Sequence, residues 1–314
     1  MNDLWRWDGK TRGKGKYYGL IKDWSADTSI WQNTALLKKA GIEPLSTTEP
    51  TDWDTILADA KKLKTAGVKY PLGLEWQWGE TALLTTMIAQ QGGELFNSNL
   101  TKINLKTPEA KRAFDWLVDY GKSGVGPTTA NPLPDGSDVS TFAAGNMGMS
   151  MTGYWMGGQF TAADSAGVRD TVSMIPTPTW GKRIAAVAGG VGAWIPSASK
   201  HKDAAWKVLE YFIGGAPAVE RSKSGWGLPA FQSKMANLPT QYPFQVSAAK
   251  TAALEATAVK TLPDSPYMDG AVFVSDLDAA LMSVLNGKAT DDQALADLQS
   301  KLNAALAQGK DQLG

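Results

Sequence analysis

Residues 70–93 read YPLGLEWQWGETALLTTMIAQQGG. Tyr70–Leu74 is a short apolar run that predicts a buried strand. From about Thr81 to Gln90 the pattern predicts a helix, stopped by Gly92-Gly93. Between them lies Glu75-Trp76-Gln77-Trp78-Gly79-Glu80, a connection too polar for the core and too aromatic for an ordinary turn. A strand handing over to a helix is the unit of an α/β fold, and the flanking sequence repeats it.

Upstream, Lys16–Ile21 reads as a strand, and Trp53, Ile56, Leu57, Ala60 and Leu63 mark one face of a helix. Thr51 with Asp54 is its predicted capping box and Gly67 its stop. Downstream, Thr107-Pro108-Glu109 opens a helix carrying Phe114, Trp116, Leu117 and Val118. Met147–Thr152 and Thr171–Ile175 read as strands, the second broken by Pro176 and Pro178, and Ile184–Ile195 as one or two more. Ser199 is the predicted cap of a helix bearing Ala205, Trp206, Leu209 and Phe212. Val274–Leu285 reads as helical, and a Thr290/Gln293 capping box opens a last helix striped by Leu295, Leu298, Leu302 and Leu306.

Composition narrows the chemistry. The 314 residues contain no cysteine, which removes disulfides, thiol catalysis, zinc fingers and iron–sulfur ligation. A single histidine, His201 near a helix start, argues against histidine triads and multi-histidine metal sites. The 31 basic and 31 acidic residues cancel, which disfavours nucleic acid or an anionic membrane as partner. No run reaches the roughly 18 apolar residues of a membrane span, and the polar start at Met1 lacks the apolar core of a signal peptide. Lys10 to Lys16 reads as a solvated basic loop. Walker A, GxGxxG, GxSxG and HExxH patterns are absent, and Asp276-x-Asp278 lacks the other ligands of a calcium loop.

Tryptophan is the anomaly: 13, against 8 tyrosines and 8 phenylalanines. Trp53, Trp116 and Trp206 sit in amphipathic helices and Trp194 in an apolar strand, so all four are expected in cores. Trp24, Trp76, Trp78, Trp155, Trp180 and Trp226 sit instead beside glycine, proline or charge. An indole offers a broad apolar face, which suits the C–H face of a sugar ring, and a carboxylate accepts strong hydrogen bonds from the ring's hydroxyls. Lys22-Asp23-Trp24 and Glu75-Trp76-Gln77-Trp78-Gly79-Glu80 place the two side-chain types together at strand ends, where ligand pockets concentrate.

The order of segments carries a resemblance. Tyr18-Gly19-Leu20, Lys22-Asp23-Trp24, Ala35–Gly41 (ALLKKAG), Thr51–Ile56, Gln91–Phe96 (QGGELF), Phe142–Met147, Thr152–Trp155, Gly189–Trp194, Ala204–Lys207 and Gly225–Pro229 follow one another as in the maltose-binding-protein-like, extracellular solute-binding proteins of bacterial ABC importers. The resemblance runs from about Tyr17 to Leu306 and lies in the ordered set, not in any one motif. It implies a periplasmic-binding-protein-like α/β fold of two lobes around a cleft. It also implies that the chain lacks its N-terminal segment, a stretch of roughly 100 residues. Residues 1–24 and 179–225 are then the remnant of the N-terminal lobe, with apolar surface left uncovered, and residues 25–178 and 226–314 the C-terminal lobe.

The resemblance further implies a carbohydrate carrier, periplasmic or at the cell surface, that is not an enzyme. The expected partners are a mono- or oligosaccharide and a membrane permease, with no nucleic acid, no cofactor, no metal and a monomeric state. Asp23 matches a carboxylate that meets sugar hydroxyls, and Trp155 an aromatic that stacks on the sugar. Trp24, Trp76, Trp78, Glu80, Gly190, Trp226 and Tyr267 lie in cleft-facing segments. The residues alone leave two alternatives open: a carboxylate-dependent glycoside-processing enzyme pairing Asp23 with Glu75 or Glu80, and a lectin-like or chemosensory binding protein.

Overall fold

Ile30–Asn33 is the strand around which the larger body is built. In the computed structural model, which describes residues 2–9, 13–76, 78–186 and 190–313, it pairs antiparallel with Met147–Met151 on one side and Val172–Ile175 on the other. Tyr70–Gly73 adds a fourth strand, parallel to Met147–Met151. Both faces of this sheet are covered, which is why MGMSM is buried at every position without alternation. The two-residue period still operates: Ile30 and Ile175 enter one core, while Trp31, Val172 and Met174 enter another.

The first core lies under the helices Trp53–Thr65, Gly79–Gln90, Pro108–Ser123, Gly270–Leu285 and Asp291–Leu313. Trp53 and Trp116 meet edge to face at 5.8 Å. Each indole N–H is satisfied, Trp53 donating to Gln90 Oε1 and Trp116 to the Trp53 carbonyl, both at 2.9 Å. In the second core the fully buried Trp31 meets Phe160 at 4.9 Å and Phe244 at 6.1 Å, and its Nε1 donates to the Gly153 carbonyl at 2.6 Å.

Local signals placed the elements well and two caps less well. Thr107 and the Thr290/Gln293 pair cap as expected. At the Trp53 helix, Asp52 takes the place expected of Thr51, because its charged carboxylate accepts the Thr55 amide at 2.8 Å. The helix expected after Ser199 begins at Lys202, with Ser199 Oγ accepting the His201 amide in the preceding turn. Residues 10–12 of the basic loop, Gln77 and residues 187–189 of the predicted Ile184–Ile195 strand region lie outside the described residues.

A smaller antiparallel sheet has Gly19–Trp24 at its centre, flanked by Val191–Trp194 and Leu228–Pro229. The helices Lys202–Gly214 and Ala216–Ser224 accompany it. Here two expectations fail: Trp206 is 50% exposed and Trp194 63% exposed, with Val208, Tyr211 and Phe212 exposed beside Trp206. Ile213 is the buried residue of that helix. Amphipathic spacing identifies the face suited to burial, but burial also needs a partner surface, and here the described residues cover this one only in part, with the Arg221 guanidinium 4.5 Å from the Phe212 ring centre. Residues 179–186 also depart from the expected division. Trp180 is buried in the first core, Lys182 N–H donates to the Gln90 carbonyl at 2.9 Å, and Ala185–Ala186 pairs parallel with Val259–Lys260, so this stretch stays with the larger body.

One carboxylate ties the segment that links the bodies before Ile30 to the stretch that follows Ile175 in the larger body. Glu255, buried in the Pro243–Ala256 helix, accepts from Ser29 Oγ at 3.2 Å and from the Thr177 amide and hydroxyl at 3.1 and 2.5 Å. Arg183 lies 3.4 Å from its other oxygen. Truncating Glu255 to Ala strands these donors, and Trp31→Ala opens a cavity in a closed core. Each is expected to cost about 3–5 kcal/mol in urea unfolding. Trp206→Ala, already half in water, is expected to stay within about 0.5 kcal/mol of the parent.

Candidate functional site

Asp23 sits where the small sheet is pinched. It faces Pro229 on one neighbouring strand and Val191 on the other, and the register with the latter shifts between Ile21 and Asp23. Such an irregularity re-aims a side chain. Two glycines permit the closure. Gly190 has φ +70°, and a Cβ there would stand 2.8 Å from the Asp23 carbonyl; Gly227 has φ +128° and packs against the Asp23 side chain. Lys22 Nζ is 3.0 Å from Asp23 Oδ2.

Trp155 comes from the other body, on the 3₁₀ turn Tyr154–Thr161, whose first amide donates to Ser25 Oγ at 2.8 Å. Trp226 stacks on it, with ring centroids 6.2 Å apart and planes 20° from parallel, and is 44% exposed. With Asp23, Trp24, Asp27 and Gly190 these rings line a cavity of about 360 Å³. Five of the nine residues expected at the site therefore converge: Asp23, Trp24, Trp155, Gly190 and Trp226.

Asp27 escaped the sequence reading although it lies three residues beyond Trp24. The same pairing of aromatic and carboxylate that singled out Asp23 extends to it. Its side chain is exposed, and partial desolvation by the protein packed near it pushes its carboxyl up to about 7. A hydrogen bond with Ser25 opposes the shift, and the charges of Glu75 and Asp23 add to it.

Glu75, Trp76 and Trp78 line a second cavity of about 270 Å³, with Thr128 and Asp138. Burial raises the Glu75 carboxyl, and burial likewise pushes Asp138 up to about 7. Trp78 is 70% exposed. Trp76 serves as scaffold: its ring stacks on Tyr120 at 5.5 Å and its Nε1 donates to Asp278 Oδ1 at 2.8 Å.

The remaining two of the nine, as well as Trp180, fall elsewhere. Glu80 is fully buried inside the first turn of the Gly79–Gln90 helix, because the helix begins earlier than expected and turns this position inward. Tyr267 packs against the first core, with Gly309 of the last helix under its backbone, and lines neither cavity. Trp180, grouped with the cleft tryptophans by its glycine and charged neighbours, is a core residue under the Arg112 guanidinium, 3.9 Å from its ring centre. Among the described residues no group of three or more His, Asp or Glu is placed to hold a metal ion, and no helix is long and apolar enough to cross a membrane.

Comparison with known proteins agrees with this architecture. The family model for bacterial extracellular solute-binding proteins matches residues 1–216. A Brucella abortus (strain 2308) binding protein is 28% identical over 302 residues, spanning 93% of this chain and 68% of that one. Among solved structures, the ABC substrate-binding protein Lmo0181 of Listeria monocytogenes, in complex with cycloalternan, superposes with a TM-score of 0.78 at 22% identity, over 98% of this chain and 74% of that one. A solute-binding protein of Thermotoga lettingae bound with α-D-tagatose gives 0.73 at 21%, over 96% and 76%. With a mixed α/β architecture matching two-lobed binding proteins and a family match over more than two-thirds of its length, the chain belongs to the bacterial extracellular solute-binding proteins.

Proposed function

We propose that this chain is the carbohydrate-capturing component of an ABC importer. The observation that carries this is the stacked Trp155–Trp226 pair beside Asp23 and Asp27 in one cavity formed from both bodies. Indole faces remove water from the apolar side of a sugar ring, and the carboxylates accept its hydroxyl protons. Structural neighbours carrying cycloalternan and tagatose support the same ligand class.

Capture follows from where the contacts lie. The small sheet with its helices contributes Asp23 and Trp226, and the larger body contributes Trp155 and the Glu75 turn. We assign these to the two lobes. A sugar that meets both sets only when they approach favours the closed arrangement, and so shifts its population. The closed form is then presented to the membrane permease. The protein acts extracellularly as a monomer, and no covalent step is assigned to it.

Intrinsic tryptophan fluorescence titrated with mono- to tetrasaccharides tests the assignment. A saturable response with the sugar unchanged supports it; no response across the panel, or release of new reducing ends, overturns it. Trp155→Ala and Trp226→Ala are each expected to weaken binding about 10- to 100-fold, the loss of roughly half an indole's buried area. Trp206→Ala serves as the control and leaves affinity unchanged.

Acidity gives a second check. Hydroxyl donors prefer an ionised Asp27, so affinity is expected to fall as pH drops from 8 to 6, through the carboxyl's value of about 7. Asp27→Asn flattens that part of the profile. For folding the sign is opposite. The folded-state carboxyl lies above its unfolded value, so the folded chain holds the extra proton between the two. The contribution to stability is complete below the unfolded value and is lost as pH rises through about 7.

A further inference from the structure

Glu75 has φ +50°, in the left-handed region that residues with a Cβ avoid, and it carries no glycine's freedom to be there. Such a conformation persists only where the surroundings over-determine it. Two contacts from distant parts of the chain do so. The Glu75 amide donates to Asp138 Oδ2 at 2.8 Å. Asp138 is itself buried at the start of the Asp138–Ala143 helix, and its carboxylate fills the space beside Gly73, where any Cβ would collide with it. One residue further on, the Trp76 indole donates to Asp278 Oδ1, which also receives the Thr129 hydroxyl at 2.7 Å. The turn is thus gripped by its backbone at one end and by an indole at the other. The exposed Trp78, two residues beyond Trp76, lines the cavity that Glu75 and Asp138 also line.

We propose that Asp138 is a positioning residue of the binding site: its carboxylate holds Glu75 in the left-handed region, so that Glu75 and Trp78 form a wall already shaped before the solute arrives. A preformed wall lowers the ordering cost of binding. As applied to sugars this rests on the carbohydrate assignment above, whereas the hold on the turn stands on the geometry alone.

Three measurements on the 314-residue chain test it. In hydrogen–deuterium exchange, Asp138→Ala is expected to speed exchange of the Glu75 amide at least tenfold, while Asp138→Asn, which keeps an acceptor, retains the protection. In urea unfolding, Glu75→Asn relieves the left-handed strain, since asparagine tolerates it. Glu75→Asn should therefore stabilise the parent, and that gain should shrink by half or more in Asp138→Ala, where the turn has already relaxed, whereas loss of mere packing would leave the gain the same. With maltotriose as probe, Asp138→Ala is expected to bind about tenfold more weakly than the parent, with Asp138→Asn close to it. Unchanged Glu75 exchange in Asp138→Ala, an equal Glu75→Asn gain in the two backgrounds, or unchanged maltotriose affinity overturns the role. If Asp138→Ala does not fold, a loss of Glu75 protection in Asp138→Asn overturns it. A parent chain that binds no sugar loses the carbohydrate assignment, and the exchange and unfolding measurements then decide Asp138's role by themselves.

Discussion

Ile30–Asn33 must pair on both edges and fill two cores with alternate side chains, and most of the molecule follows from that demand. Ile30 points into the core beneath the long helices, and Trp31 into the core of Phe160 and Phe244. The strand is also continuous with the segment that crosses to the small sheet, so anything that fixes its start fixes the cleft floor as well. Glu255 does this from a helix 226 residues away in sequence, taking the Ser29 hydroxyl and the Thr177 amide in one carboxylate. In the same segment Ser25 Oγ accepts the Tyr154 amide, next to Trp155, at 2.8 Å.

The cleft divides its tryptophans between two tasks. Trp155 and Trp226 stack on each other and line a cavity that Asp23 and Asp27 also line. Trp76, from a segment of the same composition, turns its N–H to Asp278 and its face to Tyr120, and so holds the turn that carries Glu75 and Trp78. Composition cannot separate these tasks, because both use the apolar face and the single donor of an indole. They differ in what the indole meets: a protein group at Trp76, a cavity at Trp155 and Trp226.

The legibility of the chain follows the range of the forces involved. The Trp53 helix, the strand at Met147 and the box at Thr290 were readable because periodicity and capping act within a few residues. The ordered resemblance to solute-binding proteins singled out Asp23 and Trp155, which line one cavity. Trp206 and Trp194 were misplaced because the covering surface their pattern calls for is a tertiary matter, and Glu80 because a shift of two residues in a helix start rotates a side chain from solvent to core.

The sequence by itself determined the alternation of strands and helices, hence the α/β class, together with the chemical vocabulary of tryptophan and carboxylate and the exclusion of thiol and multi-histidine chemistry. Tertiary structure alone decided which tryptophans are buried, that Asp27 joins Asp23 at the cavity, and that Asp138 supports Glu75. The reason is distance along the chain. Asp138 and Glu75 lie 63 residues apart and Trp76 and Asp278 lie 202 apart, and hydrogen bonds over such separations exist only once the sheet and helices have packed.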